Sequence, residues 1–200
     1  MSTKRGEAGI GTLILLIALI LVAAIAASVL LVTQSSLQSK ALAAGSKSET
    51  QVSSGIVVMQ VWGENGSTNA LNYVYGNVRL SAASDPINFN NTLVYFDLSD
   101  ASLSANYVGT FVDCNESAID NMVAINSSSY AVQYVINATT HIDGYLQQGE
   151  IAKICFAPPH SMIEKVAFRF TVLPKSGALT QVRGSTPDAF TDARVIMFPN

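Results

Sequence analysis

The stretch KRGEAGIGTLILLIALILVAAIAASVLLV, residues 4–32, decides how the rest of the chain is organised. No charged side chain occurs from Ala8 to Ser39, and the segment 10–32 is aliphatic or small almost throughout. At about 1.5 Å per residue that segment forms a helix of roughly 35 Å, which is enough to cross a hydrocarbon core of roughly 30 Å. The chain therefore meets a membrane at some stage.

The helical pattern continues beyond the apolar run on an increasingly polar surface. Leu37, Ala41 and Ala44 keep a helical period, and no proline occurs before Pro86. The residues at 53–55, Ser-Ser-Gly, are typical of a helix end. A helix over about 9–53 would be roughly 65 Å long, so half of it must extend beyond the lipid into water or into a protein assembly.

The remaining sequence consists of short segments in which apolar and polar residues alternate. In KVAFRFTV, for example, Val166, Phe168 and Phe170 fall on one face and Lys165 and Arg169 on the other, which predicts a half-buried strand. We see no second helical pattern, and about eight such strands favour a β-sandwich or a barrel. The eight segments are 56–62, 72–80, 91–98, 106–112, 130–138, 151–157, 164–173 and 193–198.

Charge and motif content exclude several classes of function. The net charge is −3, and no basic patch indicates nucleic-acid binding. His141 and His160 are the only histidines, and the chain has no HExxH, Gly-x-Ser-x-Gly, phosphate-binding glycine loop or CxxC motif. We therefore expect neither an enzyme nor a cofactor.

Three interpretations of the apolar run compete. Lys4, Arg5 and the small residues at 23–27 suit a cleavable secretory signal, but SVLLV would then leave apolar residues at the new N-terminus. The second interpretation is a plain membrane anchor, which holds its charged tip in the cytoplasm and the β-domain outside. The third is a helix that packs against copies of itself.

Small residues favour the third interpretation. Ala23 and Ala27, and likewise Ala24 and Ser28, stand four positions apart, which lets helix backbones approach closely. Alanines are also common in apolar helices of any kind. If Lys4 and Arg5 were removed by cutting at Gly6, the charge that holds the anchor in place would disappear, and the helix could leave the bilayer for a bundle of similar helices.

Three segments of the chain resemble archaellins, the archaeal flagellins whose N-terminal segment is similar to that of type IV pilins. They are the N-terminal stretch quoted above, ALAAGSKSETQVSSGIVV and the C-terminal GALTQVRGSTPDAFTDARVIMFP. The resemblance implies that a prepilin-type peptidase cuts between Gly6 and Glu7, with Lys4 and Arg5 before the cut and Gly9 at the family's glycine position. Glu7 departs from the family, where a small residue is more usual.

The same resemblance implies an α+β fold in which a long N-terminal hydrophobic α-helix is followed by an all-β immunoglobulin-like sandwich. Residues 1–6 would be a leader, 7–54 the filament core and 55–200 the outer domain. The subunit would first lie in the cell membrane. It would then polymerise at a membrane platform, with copies of itself or with a paralogous subunit, into the archaellum used for swimming. An adhesive type IV-like pilin and a membrane-anchored surface glycoprotein are the alternatives.

The middle of the chain carries N-glycosylation sequons in an acidic stretch. Residues 80–152 hold eight acids and no base, whereas 153–200 hold six bases and three acids. Glycans and uncompensated carboxylates both require exposure, so we expect residues 80–150 to form the outward surface of the filament. The five sequon asparagines are Asn65, Asn90, Asn115, Asn126 and Asn137.

Two further features concern covalent and metal bonding. Outside the cell, Cys114 and Cys155 are able to form a disulfide worth about 4 kcal/mol; the alternative is two buried thiols. In the segment 113–120, residues with oxygen ligands alternate as in a calcium-binding loop. The glycine and the closing glutamate of an EF-hand are missing. Their absence favours a polar surface loop with a glycan at Asn115. The four candidate calcium ligands are Asp113, Asn115, Ser117 and Asp120.

Overall fold

The computed structural model describes residues 3–65 and 70–199. The chain divides into two compact units between Ser48 and Glu49. Helix α1 spans Thr3–Ser53, 51 residues, so it continues through the whole predicted span without a break. Its end coincides with the predicted Ser-Gly signal, because Gly55 already bridges to another segment.

The second unit is a β-domain. Nine of its strands form one sheet in the order β10-β9-β4-β5-β6-β8-β2-β1-β11, and β3 pairs with β7. The strands are β1 Ile56–Asn65, β2 Leu71–Leu80, β3 Ile87–Asn88, β4 Thr92–Leu98, β5 Ser102–Thr110, β6 Ser129–Ile136, β7 Tyr145–Leu146, β8 Ile151–Phe156, β9 Ala167–Pro174, β10 Thr180–Ser185 and β11 Arg194–Phe198.

A second helix, α2 (Glu116–Ile125), corrects the prediction that the β-domain contains none. It joins β5 to β6, which are the parallel pair among the strand pairings described. Parallel neighbours need a crossover connection, and a helix is the usual one. Ile119 and Met122, three positions apart, are buried, while Asn115 caps the N-terminus by accepting from the backbone N–H of Ala118 at 2.9 Å.

The sheet curls until its two ends nearly meet. The hydroxyl of Thr180 on β10 donates to the carbonyl of Ile56 on β1. At Gly184 a Cβ would lie 2.5 Å from the carbonyl oxygen of Met197 on β11, so only glycine allows this approach. The predicted fold class, a long helix followed by an immunoglobulin-like β-domain, is confirmed, and the β part takes the form of a nearly closed mixed sheet.

The main core lies inside this curl. Phe156 on β8 and Phe170 on β9 are not neighbours in the sheet, yet their rings stack with centroids 5.9 Å apart. Tyr130 is fully buried there, and its hydroxyl lies 3.0 Å from the carbonyl oxygen of Phe89 and 2.9 Å from that of Thr92. A smaller cluster on the outer side of the sheet lies beneath α2. The β-domain therefore has its own complete core.

Candidate assembly surface and modification sites

Helix α1 presents an apolar surface that nothing within its own unit covers. Every side chain over 9–49 is exposed, and this segment is long and apolar enough to cross a membrane, with a mean hydropathy of 3.2 in its most apolar window. Because the apolar residues occur all round the helix, no single face is adapted to a soluble core. Such a surface requires lipid or other helices around it.

Five hydroxyl groups in this helix are satisfied locally. Thr12 donates to the carbonyl of Gly9 at 2.9 Å, and Ser28 donates to that of Ile25 at 2.8 Å. Thr33, Ser35 and Ser39 follow the same three-residue pattern. Since an unsatisfied hydroxyl is unfavourable in an apolar environment, these bonds make the helix compatible with lipid or with a helix bundle.

The four predicted packing residues lie on one side of α1. At 100° per residue, Ala23, Ala27, Ala24 and Ser28 occupy an arc of about 140°. All four side chains are exposed, and the hydroxyl of Ser28 is turned back onto the backbone. Side chains this short allow a second helix backbone to approach closely.

The predicted processing residues lie at the start of α1. The segment 4–7 is helical, and its side chains lie outside the described part of the structure. Gly9 is exposed, and among the described residues no atom beyond the adjoining helix backbone lies within 4 Å of the position that a Cβ would take. Its glycine is therefore not required by packing within this chain.

Four of the sequon asparagines are exposed, whereas the side chain of Asn65, at the end of β1, lies outside the described residues. Asn90 lies in a short 3₁₀ turn, Asn115 and Asn126 flank α2, and Asn137 follows β6. In the first of these sequons Thr92 is buried and donates to the carbonyl of Asn88 at 2.9 Å. The asparagine side chains themselves are accessible in the folded domain.

Cys114 and Cys155 are joined by a disulfide that is buried on both sides. The bridge ties the segment before α2 to strand β8. Beside it, Gln133 accepts from the backbone N–H of Cys114 at 3.2 Å and donates to the carbonyl of Val112 at 2.9 Å. These contacts dock the start of α2 on the sheet.

The predicted surface loop at 113–120 is wrong, because α2 begins at Glu116. Asn115 is engaged as the helix cap, and Asp120 accepts from the hydroxyl of Tyr73 at 3.0 Å. Burial, and after it this hydrogen bond, raises the pKa of Tyr73 to about 12. The alternating ligands of the calcium hypothesis are thus not on one extended loop, and no cluster of three or more His, Cys, Asp or Glu suited to a metal occurs among the described residues.

A charged cluster that the sequence did not indicate lies between β6 and β8. Glu150 is fully buried, and its carboxylate accepts from the backbone N–H of Gln147 at 2.8 Å. The Nδ1 of His141 lies 2.7 Å from Glu150, and its Nε2 lies 3.0 Å from Asp143. The hydrogen bond to Glu150, supported by that to Asp143, raises the pKa of His141, because only the protonated ring donates to both carboxylates.

Comparison with known proteins decides the family. A model of archaeal-type flagellin matches residues 6–184. The chain belongs to this family. Flagellin B2 of Halobacterium salinarum is 31% identical over 201 residues, covering 96% of this chain and 94% of that protein. Flagellin B1 of Methanocaldococcus jannaschii is 33% identical over 201 residues, covering 94% and 93%.

Solved structures give the same fold. The crystal structure of archaeal flagellin FlaB1 from Methanocaldococcus jannaschii has a TM-score of 0.65 at 22% identity and covers 72% of this flagellin and 96% of that chain. The archaeal flagellum of Methanospirillum hungatei has a TM-score of 0.68 at 16% identity and covers 95% and 99%.

The family match confirms the predicted function. This flagellin is a filament subunit of the archaellum, and the family is structural rather than enzymatic. The match thereby separates the filament subunit from the pilin and the anchored glycoprotein that the N-terminal sequence alone left open.

Proposed function

We propose that this flagellin enters the archaellum through α1, whose segment 7–54 forms the filament core, while residues 55–200 form an outer layer. Two observations carry the proposal: every side chain over 9–49 of the apolar helix is exposed, and the β-domain has a core of its own. Among the described residues, those of α1 take no part in the main core of the β-domain, which leaves the apolar helix surface for assembly. Copies of this chain, with or without a paralogous subunit, are the partners.

Before assembly, the same helix holds the subunit in the cell membrane. Lys4 and Arg5 keep the N-terminus in the cytoplasm, because positive charge is retained on that side. A prepilin-type peptidase then cuts between Gly6 and Glu7, which removes both cations and leaves Glu7 beside a new amino group. The membrane platform of the motor receives the processed subunit. N-terminal sequencing of the isolated filament tests this: Glu7 as first residue is expected, and Met1 or Ser28 would refute it.

The arc of small residues is the proposed contact between helices in the core. Replacing Ala23 or Ala27 by leucine puts a branched side chain where two backbones approach, and we expect filaments to be lost while membrane insertion persists. Ala18→Leu is the matched control, because at 100° per residue it lies roughly 150° from the centre of the arc. Electron microscopy of cell surfaces gives the result, and filaments of normal abundance from Ala27→Leu would contradict the contact.

The acidic middle of the chain forms the proposed outward surface, with N-linked glycans at its sequons. The exposure of Asn90, Asn115, Asn126 and Asn137 supports this. Because Thr92 is buried in the folded domain, the glycan at Asn90 has to be attached before β4 joins the sheet. Mass spectrometry of peptides from isolated filaments tests the proposal, and unmodified asparagines at all four positions would overturn it.

A further inference from the structure

An apolar groove of about 480 Å³ lies between α2 and the end of β5. Val108, Phe111 and Met122 line it, and Ile125 forms its rim with 86% of the residue exposed. Large apolar side chains at such exposure, in a stretch otherwise rich in carboxylates, mark a surface that is covered in the working molecule. Asn126 also lines the groove, at the C-terminal end of α2.

Both ends of α2 are sequon asparagines in fixed positions. Asn115 is the N-cap, and its Oδ1 accepts from the N–H of Ala118, which lines the groove. Asn126 is the C-cap residue, and its Oδ1 accepts from the N–H of Ser128 at 3.0 Å. An N-glycosidic bond forms at Nδ2 and leaves Oδ1 unchanged, so both hydrogen bonds are compatible with glycosylation.

We propose that N-linked glycans at Asn115 and Asn126 fold back over α2 and fill this groove. The proposal rests on the glycosylation proposed above. In the attachment reaction, the bond between the anomeric carbon and the phosphate oxygen of a lipid-linked oligosaccharyl phosphate breaks. The anomeric carbon bonds to Nδ2, which releases one proton, and the lipid phosphate leaves with the electron pair.

The geometry suits occupants tethered at both ends. The helix rises about 16 Å between Asn115 and Asn126, so each glycan needs to reach only about 8 Å. The C–H faces of sugar rings pack on the ring of Phe111 and on Ile125, while their hydroxyl groups face water. Tethering gives each glycan an effective concentration in the millimolar range at the groove.

The test uses filaments isolated from cells. Ser117→Ala with Ser128→Ala removes both sequons and keeps both asparagines, whereas Asn115→Asp with Asn126→Asp removes the glycans and keeps a capping carboxylate. In either double variant we expect roughly fivefold faster amide hydrogen exchange in α2 and a severalfold rise in binding of a hydrophobic fluorescent dye. Thr139→Ala, which removes the sequon of Asn137 outside the groove, serves as control and changes neither.

Three outcomes decide the inference. Unmodified Asn115 and Asn126 in wild-type filaments would overturn it, as would dye binding in both double variants that equals the wild type. Adding Ile125→Ser to either double variant should abolish the gain in dye binding. If the variants assemble poorly, enzymatic removal of glycans from wild-type filaments gives the same comparison. Electron microscopy follows filament formation separately, so a failure here is distinct from a failure of the assembly proposal.

Discussion

Loss of the disulfide between Cys114 and Cys155 should lower the stability of the β-domain by an amount that follows from the chain it closes. The two cysteines are 41 residues apart in sequence. In the chain-entropy model, releasing a loop of that length adds about 13 cal/mol/K to the unfolded state, or about 4 kcal/mol at 25 °C. For a domain of about 150 residues, this corresponds to a melting temperature lower by roughly 12 °C.

Without the disulfide, the whole β-domain should lose stability, and the effect should not be confined to α2. The amide of Gln133 bonds to the backbone on both sides of Asp113, at Val112 and Cys114, so the start of the helix keeps two hydrogen bonds to the sheet after reduction. Ile119 and Met122 remain buried beneath α2. The folded state therefore keeps most of its contacts, and the change lies mainly in the unfolded chain.

Thermal unfolding followed by circular dichroism measures the effect on a protein of residues 54–200, with and without a thiol reductant. The wild-type sequence should melt about 12 °C lower when reduced, whereas Cys114→Ala with Cys155→Ala should melt at one temperature in both conditions. If mass spectrometry shows an intact bridge and reduction leaves the melting temperature unchanged, the loop-entropy reasoning is refuted.

Three further changes probe the domain by melting temperature. Gly184→Ala should destabilise by about 2 kcal/mol, because its Cβ would meet the backbone carbonyl of Met197 and part the two ends of the sheet. Tyr130→Phe should cost about 1–3 kcal/mol, because it removes a buried hydroxyl whose one hydrogen is shared between the carbonyl oxygens of Phe89 and Thr92. The raised pKa of His141 makes the contribution of its pair with Glu150 complete below about pH 6.5, and it is lost as pH rises through that raised pKa; His141→Gln should flatten this dependence.

The sequence predicted the elements that bury an apolar face. All eight predicted strands overlap observed ones, since alternation such as that in β9 directly records which side faces the core. Strand β10 escaped prediction because its residues lie at one end of the sheet and none is fully buried, so TQVRGS carries no apolar face. Helix α2 escaped because Ile119 and Met122, its two buried residues, give too short a period to separate a helix from a loop.

Some of the candidate sites could be predicted from the sequence, and others depend on the fold. The helix arc and the sequons depend on spacing along one segment, so the sequence shows them directly. The groove beside α2 joins the end of β5 to the end of a helix, and exposure of Ile125 follows only from how α2 docks. The pair of His141 and Glu150 similarly depends on a turn that brings residues nine positions apart into contact.

The exposed surface of α1 limits the route by which a subunit reaches the filament. Among the described residues, seventeen large apolar side chains of this helix are about half or more exposed. At roughly 2 kcal/mol each, keeping them in water would cost more than 30 kcal/mol, beyond the 5–15 kcal/mol by which a domain is stable. On the proposed route through the membrane, the helix moves from lipid to neighbouring helices without an aqueous step. Because lipid tails are as apolar as leucine, the proposed close packing along the small-residue arc would be what favours the filament over the membrane.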